Sequence, residues 1–98
     1  GTVDFNPGSG TSNLTSNGNY DIYIQKLDSN GNFIWAVSVG GTDEDNVSSM
    51  VLDNSGNVII SGYYQNTVDF NPGPSTFNLT SNGDKDIYIL KISSSGTF

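Results

Sequence analysis

Between residues 32 and 39 apolar and polar side chains alternate, with Phe33, Trp35, Val37 and Val39 on one side and Ile34, Ala36 and Ser38 on the other. A period of two belongs to an extended strand, so this segment is predicted as a strand whose first face meets a core. Residues 46–52 and 57–64 are two further candidates. The tetrad DIYI occurs at Asp21 and again at Asp86, and each opens a predicted strand, ending near Leu27 and Ile92. In the first of these Ile22 and Ile24 point one way while Tyr23 and Leu27 point the other, so both faces are apolar. Antiparallel sheets wetted on one side keep a clean alternation, and its loss predicts a sheet stacked between two others. No segment sustains a 3.6-residue period, and Pro falls only at Pro7, Pro72 and Pro74, so little or no helix is expected. The connections DSNG at Asp28 and DNSG at Asp53 supply the Asp, Asn and Gly that tight hairpin turns require.

The strands recur. A shift of 65 residues lays Thr2 to Phe33 on Thr67 to Phe98 without a gap, and 22 of 33 pairs are identical when Gly1 is counted against Asn66. TVDFNPG returns whole at Thr67, and NLTSNG at Asn78 repeats the run at Asn13. A fixed period of this kind points to a propeller, solenoid or tandem array. Along one period, residues 46–52, 57–64, 86–92 and a strand beginning near Phe98 make a four-stranded meander, the size of a propeller blade. Between the second and third strands, NTVDFNPGPSTFNLTSNG is long enough for an extra short hairpin, Val68 and Phe70 answering Phe77 and Leu79, that would decorate the blade edge.

The expected fold is therefore all-β, of antiparallel four-stranded blade-like meanders in a β-propeller-like repeat. Residues 1–44 are the second half of one unit and residues 45–98 most of the next. About one and a half units cannot close a ring that needs four or more blades. The expectation is a fragment, an oligomer or part of an open array, and ends lying inside a unit favour a fragment.

Composition narrows the function classes. Only 34% of the residues are hydrophobic, which limits the core that 98 residues can bury alone. Ten acids against three Lys and no Arg give a net charge of −7, which repels nucleic-acid phosphates and anionic lipid. Neither a nucleic-acid partner nor membrane insertion is expected, since no apolar run approaches a span of roughly 18 residues. Cys is absent, which removes disulfides and thiolate metal sites. The N-terminus carries no signal-peptide pattern and reads as mature sequence. Abundant Gly, Asn, Ser and Thr resemble the composition of secreted bacterial β-proteins, and a secreted or cell-surface location is expected.

DNVSSMVLDNSGNVIISGYY followed by DIYILKI resembles the bacterial β-propeller repeats called SBBP repeats, and the TVDFNPG variant resembles repeats of large secreted proteins of Bacteroidota. The resemblance covers essentially the whole chain and rests on the order and spacing of low-complexity motifs. It implies a propeller-like surface or secreted protein without agreed catalytic residues.

The residues themselves offer little for catalysis. With no His or Cys, and Ser lacking an evident activator, the usual bases and nucleophiles are missing, and no enzyme is expected. Asp43, Glu44 and Asp45 could supply a glycosidase pair, yet adjacent acids in a Gly-flanked turn read as a solvated loop. No cofactor is expected. Calcium is the one metal the oxygen-rich loops invite, at Asp28, Asn30 and Asn32, or at Asp4 and Asn6 with their counterparts Asp69 and Asn71. Asx-capped turns explain the same spacings. Tyr20, Tyr63 and Tyr64 could stack on surface glycans, although sheet packing accounts for most strand tyrosines. Lys26 and Lys91 occupy equivalent positions and read as surface ion-pair partners, with an isopeptide cross-link the remote alternative. The N-x-Ser/Thr triplets at Asn13, Asn46 and Asn78 are compositional. These features give a non-catalytic structural or adhesive segment, assembling with neighbouring repeats or copies of the same chain into an extracellular filament. The alternative is a carbohydrate- or calcium-binding module.

Overall fold

A computed structural model describes residues Gly1 to Phe98 and contains nine strands and no helix. They are β1 (Thr2–Asp4), β2 (Asn13–Thr15), β3 (Ile22–Leu27), β4 (Phe33–Gly41), β5 (Asn46–Leu52), β6 (Val58–Tyr64), β7 (Thr67–Asp69), β8 (Asn78–Thr80) and β9 (Asp86–Ile92). All the strand pairings are antiparallel, in sheets ordered β1-β2, β3-β4-β7-β8 and β5-β6-β9. The chain is thus all-β and built of blade-like meanders in a propeller-like repeat. Three strands of the expected four-stranded blade stand side by side as β5-β6-β9. The fourth is represented by its closed turn, where the Ser93 N–H donates to the Thr97 carbonyl at 2.8 Å.

The connections fold because one turn is used three times. At Asp28, Asp53 and Ser93 the first residue exchanges backbone hydrogen bonds within its own five-residue turn, and the fourth residue, Gly31, Gly56 or Gly96, has φ of 82°, 79° or 85°. That left-handed conformation costs an L-residue about 1–2 kcal/mol and glycine almost nothing.

Packing between the two half-units follows from strand alternation. In the β3-β4 sheet Ile22 lies opposite Val39, Ile24 opposite Val37 and Lys26 opposite Trp35. In the β5-β6-β9 sheet Val58 lies opposite Ile92 and Ile60 opposite Leu90. These inward rows, with Tyr64, Val68, Phe70 and Tyr88, form one continuous core. Ile60, Ile92 and Val68 are its most completely buried members, and each such side chain contributes about 1.5–3 kcal/mol. The predicted core row of β4 is broken at its start. A register shift leaves Ile34 without a partner and pairs Phe33 with the exposed Leu27, so Phe33 lies outside the core.

The extra hairpin exists with the expected partners. Val68 lies opposite Leu79, and the Phe70 N–H donates to the Phe77 carbonyl at 2.8 Å. Its position corrects the expectation that it decorates the edge of its own blade. β7 pairs with the end of β4, Gly40 opposite Asp69 and Gly41 opposite Val68, so the hairpin continues the preceding half-unit's sheet. Aromatic contacts hold it from the other side, with Phe70 5.2 Å from Tyr64 and 5.1 Å from Tyr88 between ring centroids. The second half-unit thereby clasps the first by backbone ladder as well as by side-chain packing.

Candidate functional site

The Asp and Asn side chains that could hold calcium are engaged by their own loops. Asp28 Oδ1 accepts from the Asn30 and Asn32 N–H groups at 2.9 and 2.8 Å, and its Oδ2 accepts from Asn32 Nδ2 at 3.0 Å. Asp53 repeats the arrangement with Ser55 and Asn57. Asp4 Oδ1 accepts from Asn6 and Ser12, and Asp69 Oδ1 from Asn71 and Phe77. Asn6 and Asn71 in turn cap Gly8 and Gly73 at 2.8 Å. These bonds favour the ionised form, so backbone donation from Ser12 holds Asp4 below the usual carboxylate range and donation from Asn32 does the same for Asp28. The Asn57 side-chain amide, then its backbone N–H, bring Asp53 down to about 2. No group of three His, Cys, Asp or Glu side chains converges in the structure.

The acids at Asp43, Glu44 and Asp45 are not one solvated loop, because their side chains diverge. Asp43 accepts from Thr42 Oγ1 and from Asn66 Nδ2, and Glu44 from the Tyr63 hydroxyl at 3.3 Å. Asp45 is buried, its Oδ2 accepting from the Gly41 N–H at 2.8 Å while its Oδ1 has no partner. Burial, assisted by the charges of Asp21 and Asp43, pushes its carboxyl above the usual range. Within the β5-β6-β9 sheet Tyr88 donates to the Asn46 carbonyl at 2.8 Å, and burial followed by the charge of Asp45 raises the phenol to about 12. The Asp45 carboxyl therefore ties β4 to the interface between half-units.

Of the three tyrosines offered to glycans, only Tyr20 is exposed. Tyr63 is half-buried beneath the Lys85 ammonium, 4.5 Å from its ring centroid, and Tyr64 is a core residue. Lys91 pairs with Asp53 at 3.5 Å, the exposed ion pair the sequence predicts. Lys26 does something different. It donates at 3.0 Å to the Ser94 carbonyl in the next half-unit, where Trp35 Nε1 donates as well.

The two apolar faces expected of the Asp21–Leu27 strand and its repeat are each covered on one side only. Ile24 is 6% exposed and its counterpart Ile89 is 78% exposed; Tyr23 is 59% exposed and its counterpart Tyr88 is 4%. Val3 and Val68 differ likewise, 53% against 0%. The Ile face of β3 is directed to the following half-unit and the Tyr face of β9 to the preceding one. Each face is buried once within the chain and bare once.

Among curated proteins, an uncharacterised WD repeat-containing protein of Acanthamoeba polyphaga mimivirus is 37% identical over 57 residues. The aligned part is 58% of this chain and 4% of that protein, so the chain spans a small piece of its relative's length. No family model matches the chain. No solved structure matches it either.

Proposed function

We propose that the chain is a non-catalytic structural repeat segment of a secreted or cell-surface bacterial protein, a β-propeller-type module serving adhesion or an extracellular filament. The observation that carries this reading is that the two copies repeat the same carboxylate caps in their loops. Asp4 and Asp69 make the same cap, and Asp21 and Asp86 both accept from the residue four positions earlier. A catalytic site is built once, whereas side chains spent identically in successive units serve the unit itself. The resemblance to SBBP repeats supports the surface location, and the match to a WD repeat-containing protein supports a propeller-type scaffold. Surface proteolysis and fractionation of the producing cells, read with an antibody to the chain, test the location. Loss of signal from intact cells is expected, and a fully protected intracellular pool overturns it.

One observation favours a carbohydrate-binding reading. Tyr20 is exposed on a groove of about 250 Å³ that also presents Asn19 and Asp21, an aromatic face beside polar groups. A rise in melting temperature with a glycan panel or with Ca²⁺ is the result that reading requires.

A further inference from the structure

We propose that Asp21 and Asp45 bind a divalent cation of the Ca²⁺ class between the start of β3 and the entry to β5. The two acids flank the β3-β4 hairpin, and backbone contacts bring them together. The Asp45 N–H donates to the Tyr20 carbonyl at 3.0 Å, and Tyr20 forms a parallel bridge with Glu44, so the residue after each bridge partner is one of the two acids. The Asp21 carboxyl lies on Gly40, where even a Cβ would collide with it. The Asp45 carboxyl accepts from the N–H of the next residue, Gly41, at 2.8 Å. The two groups are close enough for the charge of Asp21 to act on Asp45.

Both acids are half satisfied, and this points to a ligand. Asp21 Oδ2 accepts from the Asn17 N–H at 2.7 Å, while its Oδ1 is buried without a partner. Asp45 is 4% exposed. Gly41 is its main donor, the Gln65 N–H contributes less, and Oδ1 again is buried without a hydrogen bond. These are the only buried side-chain polar atoms of the chain left in that state. Leaving a buried oxygen unpaired is costly, and here two neighbouring ones belong to groups of like charge.

No cation of the chain answers them. Lys91 pairs with Asp53, Lys26 reaches the Ser94 carbonyl, Lys85 lies over the Tyr63 ring, and the N-terminal ammonium donates to Ser16 Oγ. The positive charge that satisfies both free oxygens therefore comes from outside. Two carboxylates with oxygen-only surroundings suit a hard divalent cation, and Ca²⁺ tolerates an irregular shell completed by water. The exposed turns at Asp4, Asp28 and Asp53 differ, since their carboxylates are spent on their own loops. An ion held by Asp21 and Asp45 pins the first half-unit to the strand that opens the second.

This goes beyond the structural-module reading, and its failure would leave that reading and its test of location untouched. The purified chain, stripped with EDTA, is titrated with Ca²⁺ and with Tb³⁺, whose emission is excited through nearby tyrosines such as Tyr20. The wild type is expected to give saturable Tb³⁺ emission that Ca²⁺ displaces, and to melt about 10 °C higher at roughly 100 times the Ca²⁺ dissociation constant. Asp21→Asn and Asp45→Asn are each expected to weaken binding about tenfold or more, whereas Asp28→Asn and Asp53→Asn keep it. In EDTA at neutral pH Asp45→Asn is expected to melt above the wild type, and Ca²⁺ to reverse that order. A wild type that responds to neither ion overturns the proposal, the gap then being filled by a shared proton or a water. Binding that survives in Asp21→Asn or Asp45→Asn also overturns it, as an adventitious ion only. Tb³⁺ emission at low temperature decides for any variant whose melting is too low to compare.

Discussion

The indole N–H of Trp35 and the ammonium of Lys26 converge on one acceptor, the Ser94 carbonyl, each at 3.0 Å. The Trp35 ring also lies beneath the turn, since a Cβ added at Gly96 would come within 2.9 Å of it. One residue of the first half-unit thus fixes the last hairpin of the second. Trp35→Phe keeps most of the packing and loses the indole donor, and is expected to lower stability by about 1 kcal/mol in urea unfolding. Gly96→Ala adds the contact with the ring to an unfavourable φ of 85° and is expected to cost more than Trp35→Phe. Equal stability of both variants and wild type would show that the turn does not depend on Trp35.

Val3 and Val68 occupy the same place in the two copies of TVDFNPG and should respond unequally to the same change. Val68 has no exposure, so Val68→Ala empties part of the core and is expected to cost about 2 kcal/mol. At exposed Val3 the same truncation is expected to change stability by less than about 0.5 kcal/mol in the dilute monomer. Denaturant midpoints measured on both variants check the contrast.

That pair also marks what could be read from the chain before folding. The strands around Ile24, Trp35, Ile60 and Leu90 were legible because an extended backbone imposes a period of two, and the turns because Asp, Asn and Gly satisfy a local geometry wherever they occur. Burial of Val68 was not legible, since its flanking sequence equals that of Val3 and the difference lies in a sheet contributed from elsewhere. The pairing of β7 with β4 depends on a long-range approach to Gly40 and Gly41 that no local pattern encodes. Asp45 misled for a related reason. Three consecutive acids read as a wetted loop, but the Gly41 N–H needs an acceptor and draws one carboxyl inside. For the candidate site, the residue-type clues led to turns; the two apolar faces of residues 21–27 were legible, but which of them is covered in each copy depends on packing from elsewhere in the chain.

Gly41 tests that long-range ladder. A Cβ there would lie inside contact distance of the Thr67 carbonyl oxygen and against Val68. Gly41→Ala must either part β4 from β7 or strain both strands, and is expected to cost about 3 kcal/mol, in the range of overpacked buried sites. Gly31→Ala is the control, with open space around the added methyl and only its φ of 82° against it. Its cost is expected to be about 1 kcal/mol. Hydrogen exchange of the amides in residues 67–70 should quicken in the first variant and not in the second.

Stability should peak in mildly acidic solution, because two sets of carboxyls pull in opposite directions. Asp4, Asp28 and Asp53 have folded-state values below the ordinary 3.8, so their contribution is complete above 3.8 and is lost as pH falls from there, for Asp53 towards about 2. Asp45 has a folded-state value above 3.8, so the folded protein holds its proton more tightly than the unfolded chain. Its contribution is complete below 3.8 and is lost as pH rises from 3.8 through the folded value. Above that, the net charge of −7 adds a repulsion that salt screens. Asp45→Asn keeps a carbonyl oxygen for the Gly41 N–H without a charge to bury. The melting temperature of this variant is expected to exceed the wild type at neutral pH and to lose much of the decline on the alkaline side, while its acid limb stays in place. Asp53→Asn should do the reverse, flattening the acid limb and leaving the alkaline one. A wild-type profile that rises steadily from pH 4 to 7 would show that Asp45 is not held as a buried acid.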